Sequence, residues 1–352
     1  MGKARVRADR RGSAYAGSVS SPPLLLVLDG NSLLHRAYHA AATGKLMDGD
    51  DRPVWALKGL VGYVARASAK LRPDAVVVGF DCPEHSTRQT DYPPYKAHRP
   101  EKAADLSEQI AAAPDLLRAT GLCTVVPRGY EADDVLASAA ETARRGGWRS
   151  ILVTSDRDAF ALIDDATSVL RVRNGGLDEA VLITPSTLHD LYGVPPTLYR
   201  DLAALRGDPS DNLPGVRGFG TILAARLLAE FGSVEAAWEA LDGGHSADVR
   251  AVVGDVAARS LGTPEARERV EVNRRLMRMR PDLDLPALDA ARLPLSYATM
   301  RQALAGRGII LGPSLWALTG RTPPPEPDPE PPKYPRSPRA RREPSPDQLA
   351  LF

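Results

Sequence analysis

What most constrains this chain is a set of four short, unbroken apolar runs: LLLVL from Leu24 to Leu28, AVVVGF from Ala75 to Phe80, TVV from Thr124 to Val126 and ILVT from Ile151 to Thr154. Each is too short for a helix, and each is separated from the next by a longer segment with apolar residues at helical spacing, such as Val54 to Leu71, Ser107 to Thr120 and Ala132 to Arg145. Strands without polar alternation are buried on both faces, and strands alternating with helices pair in parallel. The expected fold class is therefore α/β, a mostly parallel sheet with helices on both faces. After about Pro195 the strand pattern ends, and short helices with glycine turns run to about Trp316.

Both ends of the chain read differently. Residues 1–22 carry Lys3, Arg5, Arg7, Arg10 and Arg11 before a Ser/Gly-rich stretch and are expected to be a disordered basic leader. Residues 321–352 are crowded with proline and are expected to form an extended, solvated tail. The expected division is 1–22 leader, 23–194 α/β domain, 195–320 helical region and 321–352 tail. With 45 Lys plus Arg against 44 Asp plus Glu, the net charge of +1 points to no class of partner, so the placement of charge matters more than its sum. Two cysteines, Cys82 and Cys123, give neither a disulfide framework nor a zinc site, and no apolar stretch is long enough for a membrane span. The expected location is cytoplasmic, with no membrane partner.

Three of the apolar runs end in acids: Asp29, Asp81, and Asp156 followed by Asp158. In an open parallel sheet the carboxyl ends of the strands line one crevice, so these acids should converge. GYEADDVL adds Glu131, Asp133 and Asp134, with Glu131 and Asp134 on one helical face, and GDPSDNLPG adds Asp208 and Asp211. Taken singly, EADD is equally well a helix start favoured by the dipole, and GDPSD a capped turn. Nine carboxylates on one crevice would repel one another strongly, and a divalent counter-charge is the natural remedy. Oxygen ligands without His or Cys suit Mg²⁺ or Mn²⁺, and a pair of such ions is suited to hydrolysis at phosphorus.

The stretch STRQTDYPPYKAHRPEK follows Asp81 and carries Arg88, Tyr92, Tyr95, Lys96, His98 and Arg99. Aromatics interleaved with cations suit base stacking and phosphate contact on a single strand, although a solvated loop is the plain alternative. Lys96 and Arg99, three apart, would point the same way in a helix and could polarise a scissile phosphate. Further on, LPGVRGFGTILAARLLAEFG places Gly215, Gly218 and Gly220 before an amphipathic helix, around Arg217. Such a turn brings backbone N–H groups close to a phosphate, as in modules that grip a duplex without reading its sequence. It follows no strand, which disfavours a dinucleotide fold.

LLVLDGNSLLHRAYHA, AVVVGFD, YPPYKAHRP, VPRGYEADDVLA, ILVTSDRD and LRGDPSDNLPGVRGFG occur in the order and approximate spacing of the 5′–3′ exonuclease domain of bacterial DNA polymerase I and its stand-alone and phage relatives. Over roughly Leu24 to Trp316 the chain resembles that group, itself similar to flap endonucleases. The resemblance implies a PIN-like nuclease core with a helical arch around 85–105, followed by a helix-hairpin-helix region. It implies a first metal among Asp29, Asp81, Glu131, Asp133 and Asp134, and a second among Asp156, Asp158, Asp208 and Asp211. Lys96 resembles the active-site lysine of the family, with Arg88 and Arg99 as basic companions in the arch. Arg36 resembles an arginine placed to meet substrate phosphate. Backbone carbonyls around Leu205, Arg206, Pro214, Val216 and Phe219 would hold a potassium ion. Thr221, Ile222 and Leu223 depart from the polar Glu-Lys-Thr or Pro-Lys-Thr that relatives often carry after the last hairpin glycine, and Thr87 from a frequent Phe in the arch.

The tail ends in QLALF, which resembles the peptide by which bacterial replication proteins dock on the sliding clamp, with Gln348, Leu349, Leu351 and Phe352 as contacts. A disordered tail gains nothing in folding from a terminal apolar cluster. The proline-rich segment would then tether the nuclease to the clamp. The expected activity is a Mg²⁺-dependent 5′–3′ exonuclease and 5′-flap endonuclease of replication and repair, acting as a nucleoid-associated monomer on DNA 5′ ends, nicks or flaps, and on RNA–DNA hybrids at primers. Two other readings are a catalytically weak junction-binding factor tethered to the clamp, and a phosphatase-like hydrolase using Asp29 as nucleophile. The first needs a broken acid cluster, and the second leaves the hairpin and the Tyr/Lys/Arg stretch unexplained.

Overall fold

The structure, a computed structural model, describes residues 21–40, 45–84, 86–311 and 315–322. Residues 1–20 of the expected leader, and the QLALF peptide, lie outside the described residues. The four apolar runs form strands: β1 (Leu24–Asp29), β2 (Ala75–Gly79), β3 (Cys123–Val125) and β4 (Arg149–Thr154). Two further strands, β5 (Thr167–Arg173) and β6 (Gly176–Ile183), complete a sheet in the order β3-β2-β1-β4-β5-β6. All neighbours are parallel except the edge pair β5 and β6.

The helices of this half are α1 (Gly30–Ala40), α2 (Trp55–Leu71), α3 (Thr87–Asp91), α4 (Ala104–Ala119) and α5 (Ala132–Arg145). The strands are apolar throughout because both faces are covered. Leu26 and Leu28 of β1 point into a core with α1, α2 and α4, whereas Leu25 and Val27 point into a second core with α5. The chain runs from β1 outward through β2 to β3 and returns across the sheet through α5 to β4. The strand order reverses between β1 and β4, and at such a switch point the diverging connections leave a crevice beyond the strand ends. Asp29 ends one of these strands, and Asp156 follows the other.

The second half is helical: α6 (Pro185–Tyr192), α7 (Pro196–Arg206), α8 (Thr221–Phe231), α9 (Val234–Asp242), α10 (Ser246–Val253), α11 (Asp255–Leu261), α12 (Pro264–Leu276), α13 (Tyr297–Ala305) and α14 (Trp316–Thr319). Strands do not stop altogether at Pro195, since β7 (Gly207–Asp208) and β8 (Leu213–Pro214) form a two-residue antiparallel pair in the hairpin. Nor is 195–320 a separate body. Leu202, Leu205, Leu227 and Leu228 share the core of α5, while Met300, Leu304 and Leu318 return to the opposite face with α2 and α4. A backbone bridge from Arg292 to Ala75 fixes that return. Among the described residues no helix is long and apolar enough to cross a membrane.

Candidate active site

The crevice beyond β1 and β4 opens into a cavity of about 870 Å³ whose lining includes Asp29, Asp81, Asp133 and Asp156. Asp29 accepts hydrogen bonds from the Ser32 N–H at 2.9 Å and the Thr154 hydroxyl at 2.8 Å. Burial, then the charges of Asp81 and Asp156, nevertheless push its carboxyl up to about 7. Asp81 accepts the Ala132 N–H at the start of α5 at 2.9 Å, and burial is the main cause of its upward shift. Asp133 is raised well above the ordinary range by burial and by Asp156 and Asp29.

A second group sits beside this one. Asp158 opens the 3₁₀ turn Asp158–Leu162 and is raised by burial and by Asp156, Asp208 and Asp211, and one of its carboxylate oxygens is buried without a partner. Asp208 caps the turn Pro209–Asp211 by accepting from the Ser210 N–H and hydroxyl. Burial raises Asp211 against the pull of Lys96 and Arg99. Seven of the nine expected acids thus fall into two adjoining sets, with Asp156 felt by both. Among the described residues, no three His, Cys, Asp or Glu side chains close into a ready-made ion cage. The donors are all carboxylate oxygens that repel one another, and Asp158 has an orphaned oxygen, so the residues present fit a hard divalent cation.

The other two acids are differently placed. Glu131 precedes α5, lines an adjoining cavity and accepts from the Lys96 ammonium at 2.9 Å and the Tyr95 hydroxyl at 3.2 Å. Burial alone would raise it, but Lys96 and Arg88 hold it below the ordinary range. Asp134 corrects the sequence expectation. Its side chain is 0% exposed and is gripped by a two-pronged Arg88 guanidinium at 2.8 and 2.7 Å, by the Glu131 N–H at 3.0 Å and by the Arg280 N–H at 2.8 Å. Four donors leave this carboxylate no room for a cation.

Arg88 is corrected with it. Instead of projecting from an arch, it is buried in α3 and also donates to the Leu276 and Arg278 carbonyls, so it clamps α3, α5 and the segment after α12 together. Tyr95 is 4% exposed and offers no free face for a base, whereas Tyr92 is half-buried against the core. Lys96 and Arg99 lie in turns rather than on a helix, and Lys96 has φ +57. They still reach the same side: Lys96 meets Glu131, and Arg99 meets Asp211 at 2.6 Å. The Lys96 N–H also donates to the Asp211 carbonyl, and the Asn212 amide to the Pro94 carbonyl, so residues 94–99 form a strap bonded to the hairpin.

Arg36 lines the large cavity, with its Nε buried and unpartnered. The sequence reading missed His35, His39, Arg66 and Lys102 on the same cavity. Helical spacing carried the signal for two of them, since His35 and His39 are i and i+4 beside Arg36. Burial, with Lys102 and His39, pushes His35 down to about 4, so it is neutral at pH 7.

In the hairpin, Gly207 has φ +77, and a Cβ on Gly215 would lie 2.1 Å from the Arg206 carbonyl oxygen, so β7 and β8 need both glycines. Gly218 also has a positive φ, Arg217 is exposed, and Gly220 caps α8. Of the carbonyls expected to hold potassium, those of Leu205, Pro214 and Val216 each already accept a hydrogen bond, from Val216 N–H, the Asn273 amide and Phe219 N–H. Asn273, also missed, bridges the Ala204 and Pro214 carbonyls from α12. Ile222, one of the three residues after the last hairpin glycine, is 69% exposed.

Two family models match in tandem: a 5′–3′ exonuclease N-terminal resolvase-like domain over residues 24–193, and a 5′–3′ exonuclease C-terminal SAM fold over 194–298. The DNA polymerase I of Mycobacterium bovis is 36% identical over 241 residues, which is 68% of this chain and 26% of that protein. The chain thus spans about a quarter of the length of that relative. A bacteriophage T5 flap endonuclease, solved as a pseudo-enzyme–product complex with DNA and metal ions, superposes with a TM-score of 0.56 at 19% identity, covering 81% of this chain and 94% of that one. The catalytic core of Rad2 in complex with DNA substrate gives a TM-score of 0.50 at 16% identity, covering 81% and 87%.

Proposed function

The chain belongs to the 5′–3′ exonuclease family, and from that premise we propose that it is a metal-dependent 5′ nuclease that hydrolyses DNA phosphodiester bonds at 5′ ends, nicks and flaps in replication and repair. The carrying observation is the meeting of Asp29, Asp81, Asp133 and Asp156 on one cavity at the switch point, opposite Lys96 and Arg99. Those acids would hold a divalent cation, Mg²⁺ or Mn²⁺, with a second beside Asp156, Asp158, Asp208 and Asp211. When bound, such ions supply Lewis acidity and counter-charge at the reacting phosphate.

The chain's own residues do the rest. Lys96 and Arg99 are already poised beside Glu131 and Asp211, so an incoming phosphate exchanges one anionic partner for another and draws these cations to its non-bridging oxygens. Arg36 and Arg66 make the same cavity wall attractive to a neighbouring phosphate. The hairpin N–H groups near Gly218 and Gly220, with exposed Arg217, take the duplex backbone, and the free lone pairs of the hairpin carbonyls can take K⁺. Exposed Ile222 supplies no charge there, so duplex grip rests on the hairpin N–H groups and Arg217. The protein acts as a nucleoid-associated monomer, and RNA–DNA hybrids at primers fall within its substrate class.

The deciding experiment is cleavage of an end-labelled 5′-flap duplex with Mg²⁺ and with EDTA. Short 5′ products only with Mg²⁺ are expected. Tight, metal-independent flap binding without any products would overturn the nuclease in favour of a junction-binding factor. The clamp contact through Gln348, Leu349, Leu351 and Phe352 has its own test: deleting residues 348–352 should abolish co-elution with a bacterial sliding clamp and leave cleavage of naked DNA intact. Unchanged co-elution would sink it.

A further inference from the structure

A second cavity, of about 700 Å³, adjoins the first along residues 96–102, and Asp81 and Glu131 of the nine acids stand in its lining. The two cavities share Asn31, Asp81, Lys96, Arg99 and Lys102, so they meet beneath the strap. Their characters differ. One wall of the second is a single stripe of α4, formed by Ser107, Ile110, Ala111 and Pro114 at helical spacing, and the other is built by Phe80 and Val126 at the ends of β2 and β3. Pro114 stands inside α4, and Asn31, Ser86 and Gln89 add polar side chains to the lining. Glu84 and Glu101 stand on the remaining rim.

Resting on the nuclease reading, we propose that this cavity is a base pocket, which receives an unpaired base of the 5′ strand while that nucleotide's phosphate is held at the shared Lys96 and Arg99. The charge pattern chooses the base over the backbone. Cations stand only at the boundary with the catalytic cavity, and beyond it the rim acids repel phosphates. Apolar walls with a few polar side chains among them, the Ser107 hydroxyl and the Asn31 and Gln89 amides, suit the flat face and the polar edge of a base. Such a pocket makes cleavage depend on a base being present, without dictating which one.

The test uses 5′-flap duplexes that carry, at the first unpaired nucleotide, either a base or an abasic residue, with the full chain and Mg²⁺. Wild type is expected to cleave the base-bearing flap about tenfold more efficiently in kcat/KM, the scale of one lost stacking contact. Filling the pocket by Ala111→Trp should collapse that ratio to about one, and Ser107→Trp, one turn away, should do the same. A 2-aminopurine at that position should change its fluorescence on binding to wild type in EDTA, and not on binding to either variant. A wild-type ratio near one, or variants that keep the preference, overturns the pocket. Absence of all cleavage strikes at the nuclease reading instead, and the fluorescence measurement still decides the pocket.

Discussion

Replacing Asp156 by alanine is expected to lower cleavage of a 5′-flap duplex by at least about 10³-fold, several kcal/mol at 1.36 kcal/mol per decade, with flap binding in EDTA retained. Asp156 is singled out because it is felt by members of both acid sets: it is among the charges that push up Asp29 and Asp133 on one side and Asp158 and Asp211 on the other. Its loss weakens the whole array rather than one ligand. The same geometry predicts that the metal-free variant melts at a higher temperature than wild type, because one member of a repelling set has gone. Sites held against their own repulsion commonly trade stability for activity. Flap cleavage within tenfold of wild type would falsify the placement of Asp156 at the centre of the site.

Legibility in the sequence followed burial. The four apolar runs could be read because both their faces are covered, and the acids at their ends followed from parallel pairing alone. β5 and β6 could not: Arg171 and Arg173 interrupt the first, and the second is an edge strand with Val181 and Leu182 partly exposed, so its pattern resembles a loop. Adjacent acids at a helix start were the harder problem. Asp133 faces the cavity and Asp134 the interior, a choice made by Arg88, 46 residues earlier in sequence, and by the segment after α12. Local spacing contains neither. Tyr95 misled for a similar reason, since a ring beside Lys96 reads as a stacking platform until its hydroxyl is seen closing on buried Glu131.

Arg88→Ala is expected to lower stability by about 3–5 kcal/mol, because it strands the Asp134 carboxylate in the interior. The side chains of Arg88 and Asp134 are 10% and 0% exposed, so water cannot take over the lost contacts. Asp134→Ala should cost a similar amount, since it leaves the guanidinium buried with only carbonyl partners and a weaker contact to Glu131. The two losses should not add: a double variant, Arg88→Met with Asp134→Leu, removes both charges and should lose clearly less than the sum of the single variants, the remaining loss coming from the Glu131 and Arg280 N–H groups that Asp134 accepts. Urea midpoints of the four proteins decide it. A change of several kcal/mol is a large part of what holds any domain together, so the single variants should also lose activity at 37 °C through unfolding. At a temperature where they remain folded, KM for flap DNA should stay near wild type, which separates a clamp inside the protein from a phosphate contact. An Arg88→Ala protein with an unchanged midpoint and a raised KM would return Arg88 to the substrate side of the cleft.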